Sequence, residues 1–244
     1  MKSFLKFIYF FMKLPKYLFQ ILIFFKSDTN KFKYLRLSPK LFDNKKKEPF
    51  DAHYLYHTAW ATRVLNKIKP DIHYDFCSDL RFVTIASAYC NIVQYNLNTP
   101  TIKLPNLSFR KTNLIDMKNI EDNSLNSISC MHVIEHVGLG RYGDPINFKG
   151  DILAINEIKR VLANDGNLLF VTPLGKKKIY FNAHRVYTYE EIINYFSNYK
   201  LKEFSLIEDD GFNEGIILNA DPSKVKNNKY ACGCFWFEKK IGSI

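Results

Sequence analysis

Apolar and basic positions at the start of the chain follow a helical period. Residues 4–25 read F-L-K-F-I-Y-F-F-M-K-L-P-K-Y-L-F-Q-I-L-I-F-F. At 100° per residue, Lys2, Lys6, Lys13, Lys16 and Gln20 fall on one narrow stripe, opposite a face of Phe, Leu, Ile and Tyr. This predicts an amphipathic helix over 1–26 lying in a membrane interface and kinked at Pro15. A single-pass signal anchor and a helix docked on a partner protein are the alternatives. The longest unbroken apolar run is only Phe7–Met12. Lys13 and Lys16 near mid-bilayer would each cost about 2.5–3.5 kcal/mol, which disfavours spanning. No small-x-small cleavage site follows.

Residues 27–50 are polar and basic with two prolines, and read as a linker. From residue 51 onward the periods alternate. Tyr54–Lys69 has helical apolar spacing and ends before Pro70. Short apolar runs at Ile72–Phe76, Ile92–Tyr95, Leu107–Lys111, Ile128–Met131 and Asn167–Thr172 read as strands, and so do Leu201–Glu208 and Tyr230–Glu238. Between them, Phe82–Tyr89, Asp151–Ala163 and Tyr189–Ser197 read as helices. Asn164-Asp165-Gly166 is a turn, and Thr188 with Glu191 makes a capping box. This alternation predicts one α/β domain over 51–244, with a mostly parallel sheet of about seven strands covered on both faces.

Charge sharpens this division. The net charge is +11, yet residues 1–47 hold 12 Lys/Arg against Asp28 and Asp43, leaving 23 bases and 22 acids in the remainder. A near-neutral body with a basic arm argues against nucleic acid as a partner and for a membrane surface. Five cysteines, Cys77, Cys90, Cys130, Cys232 and Cys234, mostly within apolar runs, read as reduced thiols of a cytoplasmic protein.

Candidate chemistry concentrates in Ser129–Asp144, S-C-M-H-V-I-E-H-V-G-L-G-R-Y-G-D. A strand end feeds into His132, Glu135 and His136, then a loop with three glycines carries Arg141, Tyr142 and Asp144. Ionisable, φ-permissive residues just past a strand end are how an open α/β sheet builds a site. Arg141 suits a phosphate or carboxylate, and Arg141 and Asp144 could equally pair with each other. His132-Val-Ile-Glu135-His136 also fits an H-x-x-E-H zinc pattern, but that motif belongs inside a helix and no third ligand stands out. Cys232-Gly-Cys234 has no second pair nearby. No metal is expected.

Leu125–Val137 and Ile158–Thr172 (I-K-R-V-L-A-N-D-G-N-L-L-F-V-T) resemble the fourth- and fifth-strand segments of class I S-adenosylmethionine-dependent methyltransferases. The run H-V-I-E-H-V-G-L-G-R-Y-G-D-P at 132–145, with F-N-A-H-R-V-Y-T at 181–188, resembles more particularly the methyltransferase-like family DUF268, often found near bacterial surface-polysaccharide genes. The similarity covers about residues 50–240. It implies a Rossmann-like sheet whose last strand is antiparallel, with S-adenosylmethionine as cofactor. Asp75, Cys77 and Ser78 would form the first cofactor turn, Asn96 would meet the ribose, Asn113 and Leu114 the adenine, and Met131 the fourth-strand side. His132, Glu135, His136 and His184 would be the catalytic candidates. Arg141, Tyr142, Asp144 and Arg185 would face the substrate.

Two departures matter. The first turn keeps its acid, but Asp75-Phe76-Cys77-Ser78-Asp79-Leu80-Arg81 has none of the family's three glycines. Asn96 and Asn113 stand where acids are usual, and each lost charge-assisted bond costs about 1.5–3 kcal/mol. Two functions are therefore expected. One is methyl transfer to a surface-glycan or lipid-linked sugar at the inner membrane face. The other is a non-catalytic protein of the same fold that binds a glycan intermediate or an assembly partner.

Overall fold

The computed structural model describes residues 2–27, 36–43 and 48–240, with the side chains of 2–9, 25 and 27 outside the description. Much of the expected basic linker, Lys45–Lys47 included, therefore lies outside the described residues, as do the side chains of Lys2 and Lys6. Two compact units result, Met1–Pro49 and Phe50–Ile244.

In the first unit, helix α1 (Lys2–Ser27) runs through Pro15. Phe10, Leu18, Phe19, Leu22 and Ile23 are exposed along it. Among the described residues no helix is long and apolar enough to cross a membrane.

The second unit begins with α2 (Ala52–Ile68), capped by the Asp51 carboxylate, which accepts from the Tyr54 amide at 3.2 Å. The helix ends at Lys69, in the left-handed region, one residue before Pro70. Then follow β1 (Ile72–Phe76), α3 (Leu80–Ala86), β2 (Asn91–Asn96), β3 (Leu107–Lys111) and β4 (Leu125–Met131). After a single 3-10 turn, Ile134–His136, come α4 (Gly150–Val161), β5 (Leu162–Leu174), β6 (Lys178–Tyr180), β7 (His184–Val186) and α5 (Tyr189–Tyr195). The chain closes with β8 (Tyr199–Ile207), α6 (Gly211–Glu214), β9 (Ile216–Ile217) and β10 (Ala231–Lys239).

Eight strands form one sheet in the order β3-β2-β1-β4-β5-β10-β8-β9. From β3 to β5 every pairing is parallel, and β10 enters antiparallel between β5 and β8. This is the Rossmann-like methyltransferase arrangement that the resemblance implies. Apolar clusters cover both faces, one around Ile128, Phe170 and Phe235, the other around Leu65, Phe82 and Met131. The chain moves outward from β1 to β3 and then returns to β4 on the other side of β1. The carboxyl ends of β1 and β4 are thus the topological switch point, where such sheets bind ligands.

Most expected elements form within a few residues of their sequence bounds, and the Thr188–Glu191 capping box is present. The turn at Asn164-Asp165-Gly166 is not a separate connection. α4 passes straight into β5, whose first residues bulge out of the ladder between Leu125↔Leu162 and Ser127↔Asn167, with Asp165 at φ +58°. The ribbon β6–β7 and the short pieces α6 and β9 carry no clear period and are additions to the expected plan.

A polar row crosses the sheet beneath the switch point. Gln94, Asp75 and Ser129 are cross-strand partners on β2, β1 and β4. The Asp75 carboxylate accepts from Gln94 Nε2 at 2.7 Å, from the Ser78 amide at 2.9 Å and from the Ser129 hydroxyl. His73 continues the row, with Nε2 2.9 Å from Ser129 Oγ and Nδ1 2.8 Å from Ser127 Oγ. Because Ser129 donates to Asp75, its oxygen must accept from His73 Nε2–H, which leaves Nδ1 to accept from Ser127. The imidazole is therefore neutral, and burial pushes its pKa from 6.5 to about 3.

The unfolded chain takes a proton on His73 below about pH 6.5 while the folded chain does not, so this residue removes stability as pH falls through that window. Denaturation at pH 7 and pH 5 should show His73→Asn losing about 2 kcal/mol less between the two than the native protein. Equal losses would mean that His73 does not titrate on unfolding.

Candidate functional site

A cleft of about 380 Å³ lies over the carboxyl ends of the central strands. Among its lining residues are Cys77 after β1, Asn96 at the end of β2, Asn113 and Leu114 after β3, Met131 at the end of β4 with His132 and His136 beyond it, and Tyr142 and Asp144. Nine of the residues singled out from sequence thus share one wall system.

Asp75 and Ser78 sit beneath the cleft floor. Asp75 is fully buried with its oxygens committed to the polar row, and burial raises its pKa against the pull of those donors. The Ser78 hydroxyl accepts from the Met131 amide at 3.1 Å and joins the first turn to the end of β4. Cys77 takes the left-handed conformation at φ +57°, a position glycine would hold without strain. Its thiol donates to Tyr95 O at 3.3 Å, and burial pushes its pKa up to about 12. Asp79 caps α3 and holds Arg81 through two 2.8 Å bonds, with the guanidinium keeping its carboxyl below the usual range. Asn96 Nδ2 is buried and has no hydrogen-bond partner among the described residues. Asn113 Oδ1 accepts from the Ile115 amide at 3.2 Å.

His132 also sits at positive φ, +55°, immediately past β4. Strained backbone at a strand end re-aims a side chain that would otherwise continue the pleat. Its Nδ1 lies 2.8 Å from Glu135 Oε1, and its Nε2 lies 3.3 Å from Cys232 Sγ. Burial raises the Glu135 carboxyl to about 7 and lowers the His132 imidazole to about 4. Glu135 Oε2 is buried without a hydrogen-bond partner among the described residues. His136 Nδ1 lies 2.6 Å from Ala183 O and must donate to that carbonyl, leaving Nε2 as the basic nitrogen. Burial lowers its pKa, so the ring is neutral near pH 7.

The loop beyond is fixed mainly to itself. Asp144 Oδ2 accepts from the amides of Gly138 at 2.7 Å and Gly140 at 3.3 Å, and Oδ1 accepts from Tyr142 at 3.2 Å. Asp144 therefore spends its charge on its own loop amides. Arg141 donates to Ala183 O at 3.2 Å and lies 5.1 Å above the Tyr142 ring. Gly138 is required: its φ is +79°, and a Cβ there would stand 2.1 Å from Asn147 O.

Arg185 is buried below the loop. It donates to Val137 O at 2.7 Å and Phe148 O at 3.2 Å, and its Nε lies 3.4 Å from Asp151 Oδ2. That is the geometry of a strut between the β7 ribbon, both ends of the loop and α4. His184 is half exposed and lies between the rings of Tyr180 and Tyr230. It lines a second pocket beside the first, with His53, Tyr54, His132, Glu135, His136, Arg141 and Tyr230.

The sequence reading missed the contribution of α2. His53, Tyr54 and His57 pack against His132, with ring centroids 5.5, 5.3 and 5.1 Å away. The available signal was the i, i+4 pair His53 and His57, which shares one helical face. Asp79 and Tyr230 were likewise not singled out.

Replacing Arg185 by Met should leave Asp151 buried with its Tyr187 bond at 3.0 Å but without a cation. A stability loss of about 3–5 kcal/mol is expected. Hydrogen exchange should rise at the loop amides of 138–148. Unchanged stability with altered ligand affinity would instead make Arg185 a substrate contact.

The family model described as "Caenorhabditis protein of unknown function, DUF268" matches residues 88–211. Solved structures share the fold at low identity. 1,6-Didemethyltoxoflavin-N1-methyltransferase from Burkholderia thailandensis, bound to S-adenosylhomocysteine, superposes with a TM-score of 0.54 at 10% identity, over 84% of this chain and 100% of that one. N-methyltransferase NodS from Bradyrhizobium japonicum, also with S-adenosylhomocysteine, gives 0.53 at 12%, over 83% and 93%. YcgJ from Bacillus subtilis gives 0.53 at 13%, over 77% and 100%. No curated protein matches the sequence. The family model spans more than half of the 244 residues, and the chain belongs to the DUF268 family, carried on a class I methyltransferase-like fold.

Proposed function

We propose that this protein is an S-adenosylmethionine-dependent methyltransferase acting on a hydroxyl of a surface-glycan or lipid-linked sugar at the cytoplasmic face of the inner membrane. The observation that carries the reading is Asn96. It stands in the cleft at the end of β2, where a ribose would lie, with a buried amide nitrogen that has no hydrogen-bond partner among the described residues. Leu114 and Met131 supply apolar surface for an adenine, and the Asp79 carboxylate offers an acceptor to the ammonium of the methionine portion. When bound, the cofactor supplies an electrophilic sulfonium methyl group. The protein's share is positioning the acceptor and removing its proton. His136 suits the second task, because it lines both pockets as a neutral ring whose Nε2 is the basic nitrogen. Arg141 and Tyr142 are the proposed acceptor contacts.

One observation favours a second reading, a non-catalytic glycan or partner binder. The first turn carries side chains at Cys77, Asp79 and Arg81 where the related enzymes have glycines, and a cofactor held there must accommodate them.

Calorimetry of the full-length protein with S-adenosylmethionine and S-adenosylhomocysteine separates the two. Binding in the micromolar range, weakened at least tenfold by Asn96→Leu, supports methyl transfer. No heat at millimolar ligand rejects it and leaves the binding role. Given binding, His136→Gln should lower turnover about 10²–10⁴-fold with little change in cofactor affinity.

The basic, aromatic α1 supports peripheral attachment to an anionic membrane. Binding to anionic liposomes should weaken with added salt and vanish on deletion of residues 1–26. Retention that resists both salt and alkali would instead indicate a spanning anchor.

A further inference from the structure

At the edge of the second pocket, which His53 and His132 line, stands a group of side chains that the proposed methyl transfer does not use. His53 on α2, His132 after β4 and Cys232 on β10 each place one donor atom within 4.8 Å of the other two. They come from parts of the chain far apart in sequence, and Cys232 is fully buried. We propose that His53, His132 and Cys232 form a zinc-binding site of the open, three-ligand type, with its fourth position facing the pocket lined by Arg141, His184 and Tyr230.

The distances suit the ion. Zinc–nitrogen bonds of about 2.0–2.1 Å and a zinc–sulfur bond of about 2.3 Å place tetrahedral donors about 3.3–3.6 Å apart. His132 Nε2 and Cys232 Sγ already stand at 3.3 Å. His53, half-buried at the start of α2, has its ring within 14° of parallel to that of His132 and completes the triangle by turning its side chain toward the other two donors. A thiolate with two imidazoles is a donor set that zinc favours over magnesium or calcium.

The surroundings give an independent indication. Glu135 Oε1 accepts from His132 Nδ1–H at 2.8 Å, which fixes the tautomer with Nε2 turned to Cys232. A carboxylate behind a ligating histidine is the usual support of a zinc ligand. Glu135 is 1% exposed, and its second oxygen has no hydrogen-bond partner among the described residues. On binding, the Cys232 thiol gives its proton to solvent as the metal–sulfur bond forms. One thiolate and one carboxylate then balance the two positive charges. The site stands on this geometry alone, whether or not a methyl donor binds in the neighbouring cleft.

Cobalt(II) reports such a site directly. The full-length protein, stripped with chelator, should bind one equivalent of Co²⁺ and show thiolate-to-cobalt charge-transfer absorption in the near ultraviolet, lost on adding one equivalent of Zn²⁺. Cys232→Ser should abolish that absorption, and Cys90→Ser should keep it. His53→Gln, on a partly exposed helix face that tolerates the change, should weaken Zn²⁺ affinity strongly. Glu135→Gln should weaken it about 10–100-fold. Circular dichroism of each variant checks that the fold persists. Absence of charge-transfer absorption in the native protein, its survival in Cys232→Ser, or unchanged affinity in a folded His53→Gln would overturn the assignment.

Discussion

A single carboxylate buried under the sheet's switch point organises this domain. Asp75 has no access to water, and a naked charge there would be costly. It is stable because three neighbours donate to it from β2, from β4 and from the turn after β1. Those donors fix how the ends of β1, β2 and β4 align, and the cleft is the space above them. The same turn supplies Ser78, whose hydroxyl receives the Met131 amide one residue before His132 leaves the ladder. The position of His132 therefore depends, through two hydrogen bonds, on Asp75.

Much of the fold was legible because it rests on period and on chain punctuation. Pro70, the Thr188 cap and the apolar runs of β1 and β3 mark their elements where the structure has them. The exceptions have a common cause. Asn164-Asp165-Gly166 has turn chemistry, and the chain does bend there, but β4 and β10 hold the flanking residues in the sheet and convert the bend into a bulge. β6 is exposed throughout and β7 is only three residues long, so neither carries an apolar period to read.

The candidate site was legible as a segment and less so as an assembly. Ser129–Asp144 does present His132, His136, Tyr142 and Asp144 to the cleft, because a strand end and three glycines dictate where such residues go. Sequence gave no means of knowing that Asp144 would be consumed by the Gly138, Gly140 and Tyr142 amides, or that Arg185 would be buried beneath the loop. Nor does spacing reveal that β10, inserted between β5 and β8, delivers Cys232 to within bonding distance of His132. Contacts across 100 residues belong to topology, which local patterns specify only indirectly.

The closure of the glycine loop has a further consequence. The Asn147 amide donates to Gly138 O at 2.9 Å, so the chain leaves and re-enters the body at nearly one point. Arg185 grips the carbonyls on either side of that neck, at Val137 and Phe148. Residues 139–146 are thus a lariat tied at its base, with an exposed tip of Arg141, Tyr142 and Ile146. Such a segment can change length and composition without transmitting strain to β4 or α4. Its exposed tip can therefore move against a ligand while the knot beneath stays the same.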